Sequence, residues 1–245
     1  MARTKVFVVA EGPSEIGDLD QLAGGGRGAR SAEGYIPPIL RKCLGERVEI
    51  TTQRVSRFDR GDKPVRVKGH GVRAAMALAL ALVDGCDVLV FVKDVDRQPG
   101  RKKSALERRN KIATMHEQIE EGFASVDGAE NVVRAKATPC RTIEAWALGD
   151  ATALAAVART SVRAAKLTRR PEELWGADSD PASDHPKCVL ERSLGARPTS
   201  RVFEDLARES SPKRPRLCAR HARKASNRFA REMDSVVRRL KRRSA

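Results

Sequence analysis

Paired cysteines are missing from this sequence. Its five cysteines, at positions 43, 86, 140, 188 and 218, are odd in number, scattered, and never spaced C-x-x-C. That excludes a disulfide framework and a zinc site, and it points to a reducing cytosol. Long apolar runs are missing too. The longest, "AAMALALALV" at 74–83, is well short of a bilayer span and reads as a buried helix. No signal-peptide layout precedes the first apolar stretch, so the expected location is cytoplasmic. No internal repeat is visible. Aromatics make up only 4% of the 245 residues, against 40% hydrophobic and 33% charged. Such a composition describes a soluble globular chain with a heavily solvated surface rather than a disordered one.

What the chain has in excess is positive charge, +16 net from 48 Lys and Arg against 32 Asp and Glu. A field of that sign favours polyanions, nucleic acid first among them. A genomic bias toward arginine and alanine is the competing account, and composition alone weighs the two evenly.

Hydrophobic patterning gives four strands, at 5–10, 47–55, 87–96 and 131–137, each followed by a helical segment. Pro13 suits a first helical turn, predicting a helix through Leu19 or Leu22. "GYIPPILRKCLG" predicts a helix ending at Gly45, and the Ala/Leu-rich run one ending near Gly85. Ser104 and Glu107 form an S-x-x-E capping box ahead of a long amphipathic helix to about 126. Alternating strands and helices over residues 1–150 predict an α/β domain with an open, mostly parallel four-stranded sheet flanked by helices. Residues 151–210 read as a helical, turn-rich extension contributing to the site. Residues 211–245 read as a basic C-terminal helix with Phe229, Met233, Val236, Val237 and Leu240 on one apolar stripe, expected to dock on the body.

Two acidic clusters interrupt the most apolar strands at the same end. Glu11 and Glu15 follow the first, and Asp94 and Asp96 follow the third. Working residues of open parallel sheets gather at the carboxyl ends of strands, near a switch in strand order. Four carboxylates converging without a counterion repel one another. A hard divalent cation removes that cost, and oxygen-only ligands suit Mg²⁺ or Mn²⁺. The structural alternatives weigh about equally: D-x-D as a solvated strand end, and Glu15 as a first-turn acid favoured by the helix dipole.

"VVAEGPSE" followed by "VLVFVKDVD" resembles the Toprim pattern, and with "CRTIEAWALGD" it is similar to the Toprim-like domains of OLD-type and RloB-type nucleases and uncharacterised bacterial families near them. The likeness spans about residues 5–195. It implies a Mg²⁺-dependent phosphodiester hydrolase acting on DNA or RNA, an effector of antiphage defence. Glu11, Asp94 and Asp96 match the core metal-binding acids and Glu15 the second acid of the E-G-x-x-E form. Thr142 and Glu144 match a hydroxyl–x–glutamate pair for a second metal, and Lys187 is the candidate for a later lysine that completes the site. Such relatives are often paired with an ABC-like ATPase. This chain has no G-x-x-x-x-G-K-[ST], so that partner would be a separate polypeptide. A homodimer is expected by the same analogy. The glycine-rich 23–30 and the basic tail depart from the pattern.

Lys63, Lys68, Arg101, Lys102 and Lys103 sit on loops flanking the acidic crevice, and Arg220, Arg223 and Lys224 lie in the tail; all are candidates for tracking a phosphate backbone, with plain surface solvation as the other reading. Lys93 pairs with the acids or with phosphate, or only snorkels. His70, His116, His185 and His221 lack ligand spacing; His116 reads as helix surface and Trp146 as core. Trp175 reads as a hydrophobic anchor or a base-stacking platform. Two other functions stand beside the hydrolase: a non-catalytic nucleic-acid-binding or scaffold subunit, and a Mg²⁺-dependent enzyme acting on nucleotides.

Overall fold

The computed structural model describes residues 3–17, 32–59, 67–94, 105–139, 142–165, 167, 171, 174, 176–211 and 226–243. Its centre is a four-stranded sheet in the order β2-β1-β3-β4, with β1 at Thr4–Ala10, β2 at Val48–Arg54, β3 at Val88–Val92 and β4 at Val133–Ala137. Every neighbouring pair is parallel. β1 and β3 are the continuous apolar runs, and all of Val6–Ala10 and Val88–Val92 is buried, as a strand covered on both faces requires.

Period-two alternation splits these strands between two cores. Val6, Val8 and Ala10 of β1 and Val88, Val90 and Val92 of β3 face one layer. That layer is built from α2 (Ile36–Leu44), α5 (Ile143–Leu148), α6 (Ala151–Val157), α8 (Pro186–Leu194), α9 (Ser200–Glu209) and α10 (Ser226–Arg243), through residues such as Leu40, Trp146, Leu154, Leu190, Phe203 and Met233. Phe7, Val9, Leu89 and Phe91 face the other layer, α3 (His70–Val83) and α4 (Ala105–Ala124), packing on Leu78, Ile119 and Phe123. The C-terminal helices therefore share one core with the sheet. Short α1 (Pro13–Ile16) and α7 (Val162–Ala165) complete the described α-helices, beside two 3-10 turns at Val55–Asp59 and Ala129–Asn131. None of them is long and apolar enough to cross a membrane.

The expected docking of the tail holds: Met233 and Val236 are buried. α10 lies along β4, where the Glu232 carboxylate accepts from the Lys136 backbone N–H at 2.6 Å. The helix expected through Leu19 or Leu22 instead ends at Ile16. Gly17 adopts φ +81°, and the chain at Ala32 crosses so close that a Cβ on Gly17 would lie 1.9 Å from the Ala32 carbonyl oxygen. The long helix expected to about 126 runs to Ala124. Ser104 of the anticipated capping box, Phe229's side chain and Trp175 lie outside the described residues.

Glycine does specific work between α3 and α4. A Cβ on Gly122 would sit 2.1 Å from the Gly71 carbonyl oxygen, and one on Gly71 2.5 Å from that of Gln118. The two backbones touch because neither residue has a side chain. Gly122→Ala should gain about 1 kcal/mol from helix propensity yet lose more to overpacking, about 1–3 kcal/mol before that offset. Because backbone on backbone cannot yield, we expect net destabilisation, read as a lower urea midpoint.

Tyr35 is the only tyrosine, buried with its hydroxyl 3.3 Å from Ser210 Oγ. Burial pushes its phenol up to about 12; the Ser210 hydrogen bond lowers it and the Asp150 carboxylate raises it. The folded state thus holds this proton more tightly than the unfolded chain, so stability is lost as pH rises from about 10 through about 12. Tyrosinate absorbance should appear near 12 in the native protein and near 10 in urea; identical native and denatured titrations would contradict this burial.

Candidate active site

The strand order reverses direction between β1 and β3: the chain leaves β1 for β2 on one side and returns to β3 on the other. The crevice beyond the carboxyl ends of such a pair is where open α/β sheets bind ligands. The β1–β3 register, ending at Val9↔Phe91, brings Glu11 beside Lys93. These residues, 82 apart in sequence, form an ion pair between Lys93 Nζ and Glu11 Oε1. Both are largely sequestered, with side-chain exposures of 4% for Glu11 and 14% for Lys93. Of the readings open for Lys93, pairing with the acids is the one observed. Asp94 follows directly and is 8% exposed. Asp96 lies outside the described residues.

The second acid of the first cluster faces its own turn. Glu15 is buried, and its carboxylate accepts from the Gly12 backbone N–H at 3.0 Å. α1 is pinned from outside by Tyr35 N–H donating to the Ser14 carbonyl at 2.9 Å. α1 also contacts α5. Thr142 is the N-cap of α5, but its hydroxyl makes no capping bond. Thr142 Oγ1 is buried without a hydrogen-bond partner among the described residues. Glu144 lies in the first turn of that helix and is half-buried. α8 packs against α5. Lys187 sits in its first turn, half-buried, its backbone N–H donating to His185 Nδ1 at 3.3 Å. His185 thus serves as a helix cap.

The β3–β4 register continues the row of strand ends. Lys93 N–H donates to the Ala137 carbonyl at 2.9 Å, so Thr138 stands next to Lys93. Thr138 Oγ1 is 2.9 Å from His116 Nε2. His116, expected on the helix surface, is buried at 5% exposure. The α4 periodicity explains the difference. His116 neighbours Met115 and sits three residues before Ile119, on the flank of the stripe that packs on the sheet, where a polar partner was at hand. Residues 105–115 of α4 precede His116 in the chain, which meets the end of β4 through Thr138. Trp146 is buried in the core, as expected.

Of the basic candidates, Lys68 is described and exposed, one residue ahead of the α3 cap. Lys63, Arg101, Lys102, Lys103, Arg220, Arg223 and Lys224 lie outside the described residues, as does His221. His70 opens α3; burial lowers its pKa, with Arg73 and Lys111 lowering it further.

In kind these donors suit a hard divalent cation, since they are all oxygens, and Thr142 Oγ1 is one that lacks a hydrogen-bond partner among the described residues. In number the described residues fall short: no group of three His, Cys, Asp or Glu among them could hold a metal ion. Lys93 neutralises Glu11, and Glu15 caps Gly12. The described residues therefore do not assemble a cation site by themselves, and Asp96, the further acid of the reading, lies outside them. No protein-family model matches the chain, and neither does any curated protein or solved structure.

Removing one member of a sequestered ion pair leaves the other charge stranded, at about 3 kcal/mol for a well-buried pair. Lys93→Met should therefore destabilise the fold by about that amount, and Glu11→Gln in the same chain should restore most of it. Urea unfolding of the four proteins of this cycle checks the coupling; additive effects would mean the two groups do not depend on each other.

Proposed function

We propose that this chain is a Mg²⁺- or Mn²⁺-dependent phosphodiester hydrolase acting on nucleic acid. One observation carries the reading: Glu11 and Asp94 stand at the ends of adjacent parallel strands at the point where strand order reverses. The Thr142 hydroxyl, buried at the start of α5 without a hydrogen-bond partner among the described residues, supports it, as does the net charge of +16, which favours a polymeric polyanion.

Asp94, Asp96 and Thr142 would hold the cation, which when bound supplies stabilisation of the charge that builds on the phosphoryl oxygens. The chain's own groups do the rest. Lys93 holds Glu11 in place at the end of β1 through their ion pair. Lys187 is the side chain assigned to the excess negative charge of the transition state. An Asp94→Ala, Asp96→Ala double variant should lose at least about a thousandfold in Mn²⁺-supported cleavage of plasmid or tRNA, and EDTA should abolish cleavage. Activity untouched by both changes would remove the hydrolase reading. Cleavage of nucleotides alone would move it to a small-substrate enzyme. A role in antiphage defence in the cytoplasm, with a separately encoded ABC-like ATPase or as a homodimer, belongs to the same proposal through the Toprim-like resemblance.

A second reading has an observation of its own. Lys93 already neutralises Glu11, as in a scaffold that keeps the fold and binds nucleic acid without cutting it. Calorimetric titration with Mn²⁺ separates the two, since only the enzyme binds the ion through Asp94.

A further inference from the structure

A cleft of about 290 Å³ opens away from the acids, between α4, the outer strand β4 and α10. Arg134 and Lys136 alternate with the buried Val133, Ala135 and Ala137, so both side chains leave β4 toward α4. Arg239 and Ser235 enter from α10. Lys136 is 8% exposed and ion-paired with Glu120. The other acid of the cleft, Glu232, is committed to the Lys136 backbone N–H. Arg134 lies over the Phe123 ring, 5.8 Å from its centroid, which holds its guanidinium plane in place. Neither Arg134 nor Arg239 has a carboxylate partner among the described residues. Both acids of the cleft are thus engaged around Lys136, while two guanidinium forks and a hydroxyl donor converge on a cavity of ligand size.

From this we infer a phosphate-binding cleft formed by Arg134, Lys136, Ser235 and Arg239, which takes a phosphate of a nucleic-acid backbone. Phosphate suits the donors because a guanidinium fork binds it through two parallel N–H···O bonds. A polymer suits the rim because Arg238, Lys241 and Arg242 continue the cationic surface along the exposed side of α10. The same groups would accept a free mononucleotide, so the test has an arm for each source. The cleft does not depend on any chemistry at the acids.

The measurement is anisotropy of fluorescein-labelled 20-nucleotide single strands of DNA and RNA in EDTA, across a range of salt, with AMP titrated separately by calorimetry. Arg134→Ala with Arg239→Ala should weaken oligonucleotide binding about tenfold and reduce the salt slope by about one to two. Arg163→Ala with Arg197→Ala, an equal charge change at exposed sites elsewhere, should do markedly less. Arg134→Lys keeps a cation over Phe123 and should keep the slope while weakening affinity, so a loss through misfolding of the double variant is told apart. AMP binding that the double variant loses, with oligonucleotide binding unaltered, would keep the cleft and assign it to a free nucleotide. Equal losses in the two double variants, or no change for either ligand, would overturn the inference. Because no metal is present, failure here leaves the hydrolase reading standing, and failure of that reading leaves the cleft.

Discussion

The parallel pairing of β1 with β3 decides what this molecule can do. Four register pairs, Val6↔Val88 to Val9↔Phe91, set two chain segments side by side so that one strand leaves the sheet with a carboxylate as the other leaves with an ammonium. A slip of one residue would turn every side chain of β3 to the opposite face. Leu89 and Phe91 would then leave the α3/α4 core, and Lys93 would lose Glu11. The apolar pattern that packs both layers therefore also aligns the polar groups beyond them, and the geometry of the crevice is protected by the same burial that stabilises the fold.

Much of this was legible in the chain. The uninterrupted apolar runs of β1 and β3 read as strands covered on both faces, and their shared acidic ends pointed to one crevice. The stripe of α10 foretold its docking. What was hidden was pairwise. Lys93 is a single lysine between an apolar run and two acids, and nothing in its neighbourhood names Glu11, 82 residues earlier, as its partner. His116 is one polar residue on the flank of an amphipathic helix, and its burial depends on Thr138 arriving at the end of another strand. The early stop of α1 follows from the chain at Ala32 passing over Gly17, a contact that no local propensity reports.

Electrostatic balance runs through the structure at close range despite the large net charge. Asp150 caps α6 by accepting from the Thr152 and Ala153 N–H groups, each at 3.1 Å. Lys42 donates to the Ala207 and Ser210 carbonyls where α9 ends. Glu33, ahead of α2, pairs with Arg41 in the last turn of that helix. Each charge meets a helix end or an opposite charge, as burial demands. Arg134 on β4 and Arg238, Arg239 and Arg242 on α10 have no ion pair among the described residues, and an excess of one sign is what a polyanion recognises.

Glu232 has a further effect on the life of the sheet. An outer strand with free N–H groups is an open template on which another chain can lay its own strand. By accepting the Lys136 N–H, this carboxylate occupies that template midway along β4, where α10 packs against the strand. Cross-chain sheet growth from that side is thereby opposed at its centre.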